Sequence, residues 1–404
     1  MTDIHSLRDD FPILGKSLNG QPLCYLDSAA TAQKPNKVVD VIKTFYQAEN
    51  SNVHRGLHTL SENATNRYEA ARETIAKFLN VSAKEIVWTS GATESLNFLA
   101  HGLSQALNEN SKIAISPFEH HANIVPWQEA CKRTGAQLLV LPMLENGVLD
   151  EAGAISLLQT HKPDILSIGH ASNALGNIHP IESLIKACKT LGTKTVIDGA
   201  QSFMHLRPDL VALDCDFYVF SAHKALGPTG VGGLYGRYNL LNTLPVYKTG
   251  GEMIQEVTFA HSTYRDAPGK FEPGTPNISG VIGLAAAVDY LNNISPSALQ
   301  RYERALYQSL LQQLNQIKGV TVYGDTQNNV GIVSFNYKNE HHYDLATLLN
   351  TYGVAVRSGH HCAQPLMNML NVNGTVRASL AFYNNEADVE HFINALKATI
   401  ELLD

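Results

Sequence analysis

Short, almost wholly apolar runs alternate with helical patterns through the middle of this 404-residue chain, and that alternation restricts the fold more than any other feature. The runs are "EIVWT" (85–89), "KIAIS" (112–116), "QLLVLP" (137–142), "ILSIGH" (165–170), "TVIDGA" (195–200) and "DFYVFS" (216–221). A strand that is apolar at nearly every position, instead of every second one, has both faces buried. Helices laid over both faces of a parallel sheet produce that pattern. Between the runs, "TESLNFLAHGL" (93–103) brings Leu96, Leu99 and Leu103 onto one helical face, and "VPWQEACKRTG" (125–135) reads as a second helix. The reading for residues 60–260 is therefore α/β.

The flanks differ. Residues 1–20 read as a polar arm with a turn at "LNGQP", and 236–280, rich in Gly, Pro and Thr, reads as long ordered loops. The stretches 279–294 and 297–317 are expected to be amphipathic helices. With strands in 331–337 and 354–358 and a last helix over 386–403, they give an α+β tail. We divide the chain into an N-terminal arm (1–20), a large domain (21–285) and a small C-terminal domain (286–404) that carries a cysteine-bearing loop. Length alone favours one large and one smaller domain.

The most informative segment is "DFYVFSAHKALGPTGVGGLYGR" (216–237), where a buried strand runs into Ser221, His223 and Lys224. Lysine is seldom hidden unless paired or chemically used. At the carboxyl end of a strand in an open α/β sheet it points into the ligand crevice, and desolvation lowers its pKa toward that of a carbonyl-trapping amine. A solvated lysine at a loop start is the plainer alternative. Three further features weigh against it. Asp198 ends another apolar strand, where a carboxylate suits the protonated ring nitrogen of pyridoxal phosphate. Thr93 lies near the start of a helix after a Gly-containing turn, a place suited to phosphate. The pair His120–His121 follows a strand, where an imidazole can stack on an aromatic cofactor.

These residues stand in a wider set of segments: "YLDSAAT", "NVHRG", "ATES", "EHHANIVPW", "DGAQ", "GGEMI", "FEPGTPN", "RSGHHCAQPL" and "VRASLAFYN". Taken with the lysine segment, the chain resembles, nearly end to end, the cysteine desulfurases of the SufS/CsdA type in the class V aminotransferase family. The resemblance implies a fold-type I, pyridoxal 5'-phosphate-dependent transferase fold, with a mainly parallel seven-stranded sheet in the large domain. It implies Lys224 as the Schiff-base lysine, Asp198 at the pyridine nitrogen, Gln201 at the ring hydroxyl and His120 stacked on the ring as proton donor or acceptor. Thr93, Ser221 and His223 would hold the phosphate. Ala92 stands beside them where relatives often carry Thr, and Ala222 where they often carry Gly. Thr275 would reach the cofactor of a second copy in a homodimer. Asn173 and Arg377 would grip the substrate carboxylate, with Arg357 also on the substrate side. The activity implied is conversion of L-cysteine to L-alanine, with sulfur passing as a persulfide on Cys362 to a SufE- or CsdE-like acceptor in service of iron–sulfur cluster assembly. Selenocysteine lyase activity on L-selenocysteine at the same site is the alternative.

Cys362 itself reads as a nucleophile. A lone cysteine is most often a small core residue, but "SGHHCAQP" is polar, glycine-containing and free of helix or strand periodicity. Nearby imidazoles and Arg357 are expected to favour the thiolate. A metal centre is rejected. Adjacent histidines such as 120–121, 341–342 and 360–361 do not readily chelate one ion, and His54/His58 lack the glutamate of an HExxH pair. Five scattered cysteines without a CxxC suit a reducing compartment, and the expected location is cytoplasmic. A net charge of −7 supplies no basic field for nucleic acid, and the longest apolar stretch, 138–144, is far too short for a membrane span.

Overall fold

The computed structural model describes residues 4–404; residues 1–3 of the arm lie outside the described residues. The six apolar runs, joined by the Gly-rich segment after the lysine, form a seven-stranded sheet of β1 (Ile86–Thr89), β2 (Lys112–Ile115), β3 (Gln137–Val140), β4 (Ile165–Gly169), β5 (Lys194–Asp198), β6 (Phe217–Ser221) and β7 (Gly232–Gly236). Its order is β1-β7-β6-β5-β4-β2-β3. The neighbours β6-β5-β4-β2-β3 pair in parallel, and β7 runs antiparallel to both β1 and β6. Every residue of β4, β6 and β7 is buried, as the near-continuous apolar pattern requires.

Among the helices packed on this sheet are α1 (Thr59–Phe78), α2 (Ala92–Ser104) and α3 (Val125–Thr134). Further along the chain, α4 (Ile278–Asn292) corrects the expectation of an amphipathic helix. It is buried at thirteen of its positions, on all faces, and lies against α1 and the helix Asn36–Thr44. Its Gly, Ala, Val and Leu content suits a helix enclosed by others. The helix α5 (Pro296–Asn315) is amphipathic as expected, burying Leu299, Leu306, Leu310 and Leu314.

The tail folds into a four-stranded antiparallel sheet of β8 (Val320–Tyr323), β9 (Ile332–Tyr337), β10 (Arg357–Gly359) and β11 (Thr375–Ser379), ordered β8-β9-β11-β10. The last helix, α6 (Glu386–Leu403), begins with a capping box between Asn385 and Asp388 and covers this sheet.

Two further expectations need revision. The arm is not simply polar: Leu7, Phe11 and Leu14 are buried, and Phe11 packs edge-on against Tyr290 and Phe382. The loops of 236–280 contain a two-stranded hairpin, Ile254–Val257 with Ser262–Tyr264, whose tip exposes Phe259 completely. The segment Cys24–Tyr25 pairs in parallel with Val354–Ala355, joining the start of the chain to its tail.

Candidate active site

The parallel strands end on one edge of the sheet, and the residues that follow them surround a cavity of about 190 Å³. The segment after β1 supplies Ala92 and Thr93; that after β2, Glu119 and His120; that after β4, Asn173. Asp198 closes β5 and is followed by Gln201, while Ser221, His223 and Lys224 follow β6. Arg357, His361, Cys362 and Arg377 complete the wall from the tail. Twelve of the thirteen residues singled out from sequence therefore converge. Thr275 does not; it is exposed on a separate loop.

The end of the cavity at the start of α2 is shaped by close backbone packing. Gly91 precedes α2 with φ +152°, and a Cβ on Gly232 of β7 would come within 2.6 Å of the Gly91 Cα. Glycine at both positions lets the helix start approach the sheet. The Ala92 N–H donates to Ser221 Oγ at 2.8 Å. His223 is held near pKa 4 by burial and by Lys224 and Lys34, so it is neutral at pH 7.

At the other end, burial lowers the Lys224 amine to about 8, against an opposing pull from Asp198. At pH 7 such an amine is about one-tenth unprotonated, far more than an ordinary lysine, which favours nucleophilic or basic chemistry. Asp198 accepts from the Ala200 N–H at 2.9 Å, and burial pushes its pKa upward. A buried carboxylate of this kind favours a cation brought to it. Gln201 donates to the Ala29 carbonyl at 2.8 Å. His120 is pushed down to about 4 by burial and nearby positive charge, and its Nδ1 accepts from the Ala122 N–H at 3.0 Å.

On the wall supplied by the tail, Arg357 and Arg377 lie directly opposite each other across β10 and β11. Like charges so placed repel. Asp27 resolves the conflict, with one oxygen 3.0 Å from Arg377 Nη2 and the other 3.3 Å from Arg357 Nη2. Arg377 Nη1 also donates to the Asn173 carbonyl at 2.7 Å, and Asn173 Nδ2 donates to the His361 carbonyl at 2.6 Å. Sequence reading missed Asp27. Its signal was present in "YLDSAAT", an acid set among small and apolar residues.

The Cys362 loop lies between β10 and the short helix Gln364–Met369, and its thiol is exposed. His361 and Cys362 both take left-handed backbone conformations, at φ +53° and +56°. Such strain in non-glycine residues concentrates at functional sites. The Cys362 carbonyl accepts from the His121 N–H at 2.7 Å, fixing the loop to the turn after β2. The expected thiolate support from imidazoles needs correction at His361. Its ring is buried against Thr375 Oγ1 at 2.9 Å, and burial holds its pKa near 3, so it is uncharged. Arg377, whose guanidinium interacts with Cys362, is a permanent cation close to it. Among the described residues, no group of three or more His, Cys, Asp or Glu side chains is arranged to hold a metal ion.

A lysine amine, a buried carboxylate, a helix start and two guanidinium groups around one cavity match the carbonyl, ring nitrogen, phosphate and substrate carboxylate of a pyridoxal-phosphate reaction. Residues 24–392 match the family described as aminotransferase class-V. The chain is 44% identical over 403 residues to a cysteine desulfurase of Serratia proteamaculans, covering 99% of each. It belongs to the cysteine desulfurases of the class-V aminotransferase family. These cysteine desulfurases depend on pyridoxal 5'-phosphate. The structure of the cysteine desulfurase CsdA from Escherichia coli superposes with a TM-score of 0.92 at 38% identity, covering 100% of this chain and 99% of that one. The apo cysteine desulfurase of Thermococcus onnurineus NA1 gives 0.95 at 36% identity, with 99% of each chain covered.

Proposed function

We propose that the protein converts L-cysteine to L-alanine and carries the released sulfur as a persulfide on Cys362. The observation that carries this reading is that Lys224 and Cys362 line one cavity, with Cys362 exposed. When bound, pyridoxal phosphate supplies a carbonyl for the substrate amine and an electron sink for the bond broken at Cα.

The chain's own groups do the rest. Asp198 would keep a positive charge at the ring nitrogen, Gln201 would face the ring hydroxyl, and Ser221, Thr93, His223 and the Ala92 N–H would hold the phosphate. Lys224, its amine made more available as a base by the burial that lowers its pKa, takes the Cα proton. Arg377 and Arg357, oriented by Asp27, hold the substrate carboxylate, with Asn173 on the same wall. The Cys362 thiolate attacks the substrate sulfur. A sulfur–sulfur bond forms as the carbon–sulfur bond breaks, and His120 moves the proton that completes alanine. General acid–base help of this kind contributes about 10²–10⁴ in rate.

Exposure of Cys362 supports delivery to a separate SufE- or CsdE-like protein acceptor. The exposed position of Thr275, away from its own cavity, supports a homodimer in which it meets the second copy's cofactor. Five unpaired cysteines support a cytoplasmic setting, and among the described residues no helix is long and apolar enough to cross a membrane. The test is to supply cofactor-loaded protein with L-cysteine and a reductant. Stoichiometric alanine, with a one-sulfur mass gain on the peptide containing Cys362 when reductant is omitted, is the expected result. Absence of both overturns the assignment.

A further inference from the structure

Lys34 is a half-buried cation that does not line the cavity, yet it reaches the turn that carries Lys224. Its Nζ donates to Thr31 Oγ1 at 3.1 Å, to the His223 carbonyl at 3.2 Å and, closest of all, to the Ala32 carbonyl. Three acceptors match the three protons of an ammonium, so every one of these bonds favours the charged form. Among the described residues Lys34 forms no ion pair. Burial brings its pKa down to about 8, which leaves the ammonium the main form at pH 7.

Its neighbours grip the same oxygen. The Ala32 N–H donates to the His223 carbonyl at 3.0 Å and Thr31 Oγ1 donates to it at 3.1 Å. That carbonyl belongs to the peptide joining His223 to Lys224. The turn Ala222–Lys224 leaves it unused, since its own bonds run from the Ala225 and Gly227 N–H groups to the Ala222 carbonyl, at 2.8 and 2.9 Å. The peptide is therefore held from outside the turn. A charged donor makes a bond roughly twice as strong as a neutral one. Because an amide is planar, holding its oxygen fixes the plane from which the Lys224 Cα projects.

Residues 27–34 are tied to the tail as well. Asp27 pairs with Arg377 and Arg357, the Ala29 N–H donates to Ser379 Oγ at 2.9 Å, and the Gln33 N–H donates to Tyr383 Oη at 3.1 Å. One short segment thus touches both the Lys224 turn and the sheet that carries the guanidinium groups.

We propose that Lys34 is a positioning residue for Lys224: its ammonium locks the His223–Lys224 peptide and so aims the Lys224 amine into the cavity at a fixed place relative to the arginines of the tail. This rests on Lys224 acting as proposed above. Lys34 itself touches no reacting atom. Misplacing the amine slows the step in which it takes a proton, while the wall formed by Arg377, Arg357 and Asn173 keeps its grip on the substrate.

The experiment compares wild type with Lys34→Met, of similar length but without donors, and Thr31→Val, which removes the hydroxyl with little change of shape. Hydrogen–deuterium exchange of the holoenzyme should show faster exchange in Lys34→Met at the Ala225 and Gly227 amides, with the strands of the seven-stranded sheet unchanged. After removal of the cofactor, the full chain of Lys34→Met should recapture added pyridoxal phosphate more slowly, followed by visible absorption. With L-cysteine, kcat should fall by about 10–10²-fold while KM stays within about twofold. The double variant should lose less than the product of the two single losses, because both groups act on one oxygen. The proposal is overturned by Lys34→Met with wild-type exchange at the turn and wild-type capture, by a rise in KM with kcat unchanged, by faster exchange spread evenly over the sheet, or by single losses that simply multiply. Wild-type protein that releases no alanine, beside a Lys34→Met that loses turn protection and captures cofactor slowly, overturns the desulfurase reading and leaves this one standing.

Discussion

The lysine and the cysteine sit in differently built parts of the molecule. Lys224 follows directly from a fully buried strand in the middle of the seven-stranded sheet, and Asp198 ends the neighbouring strand. Their separation is set by strand pairing. Cys362 belongs instead to a turn between a three-residue strand and a six-residue helix, with two successive residues in the left-handed region. Charge on the ring and at Cα demands fixed, desolvated groups, whereas a sulfur that must be handed on demands an accessible carrier. Under the proposed function the pocket would meet the first requirement and the loop the second.

The sharpest way to break this division is Lys224→Ala. Loss of alanine release by about 10²–10⁴-fold is expected from removing the base, for L-cysteine and L-selenocysteine alike, while the Cys362 thiol stays open to alkylating reagents. Loss of thiol reactivity as well would show that loop and pocket are not separable. Next in size is Cys362→Ala. Turnover of L-cysteine should fall to background while L-cysteine still perturbs the cofactor's visible absorption. L-Selenocysteine, with a better leaving atom, should still yield alanine. Unchanged cysteine turnover would remove Cys362 from the chemistry.

Asp27→Asn tests the junction between the two regions. Arg377 would lose its buried counter-ion and face Arg357 without mediation. A loss of roughly 3–5 kcal/mol accompanies removal of one partner from a buried pair, and the half-exposed Arg357 places this case at the lower end. The urea midpoint should fall accordingly, and KM for L-cysteine should rise more than kcat falls.

The smallest effect concerns His361. Its native pKa of about 3 lies below the ordinary value of 6.5, so between those limits the unfolded chain binds more protons than the folded one. Stability contributed by the neutral ring is therefore present above about pH 6.5 and lost as pH falls toward 3. His361→Asn should reduce the slope of stability against pH within that window by up to one proton. Urea unfolding at several pH values reads it directly, and an unaltered slope would mean the ring is not held neutral by the loop.

The strands were legible because burial on both faces leaves a continuous apolar signature that no turn or exposed helix imitates. The lysine segment was legible for the same reason, since a cation at the end of such a strand is conspicuous. Helix α4 was misread because a helix enclosed on every side has no polar stripe to give its orientation. The hairpin at 254–264 was missed because its residues are largely exposed and alternate too weakly. Asp27 escaped because its partner Arg377 is 350 positions away and the pairing exists only once the start of the chain has docked on the tail's sheet. The ring of His361 turns inward because the left-handed backbone at 361 and 362 reverses the chain, and local composition carries no sign of that.

The short parallel pairing of Cys24–Tyr25 with Val354–Ala355 has a consequence for biosynthesis. The early segment leaves the ribosome with no partner to receive it. At about 5–20 residues per second, it waits roughly 20–60 s for position 354 to be made. During that interval its backbone amides and the apolar Leu26 are open to chaperones or to other nascent chains, so crowded polysomes are where this protein is most exposed to mispairing.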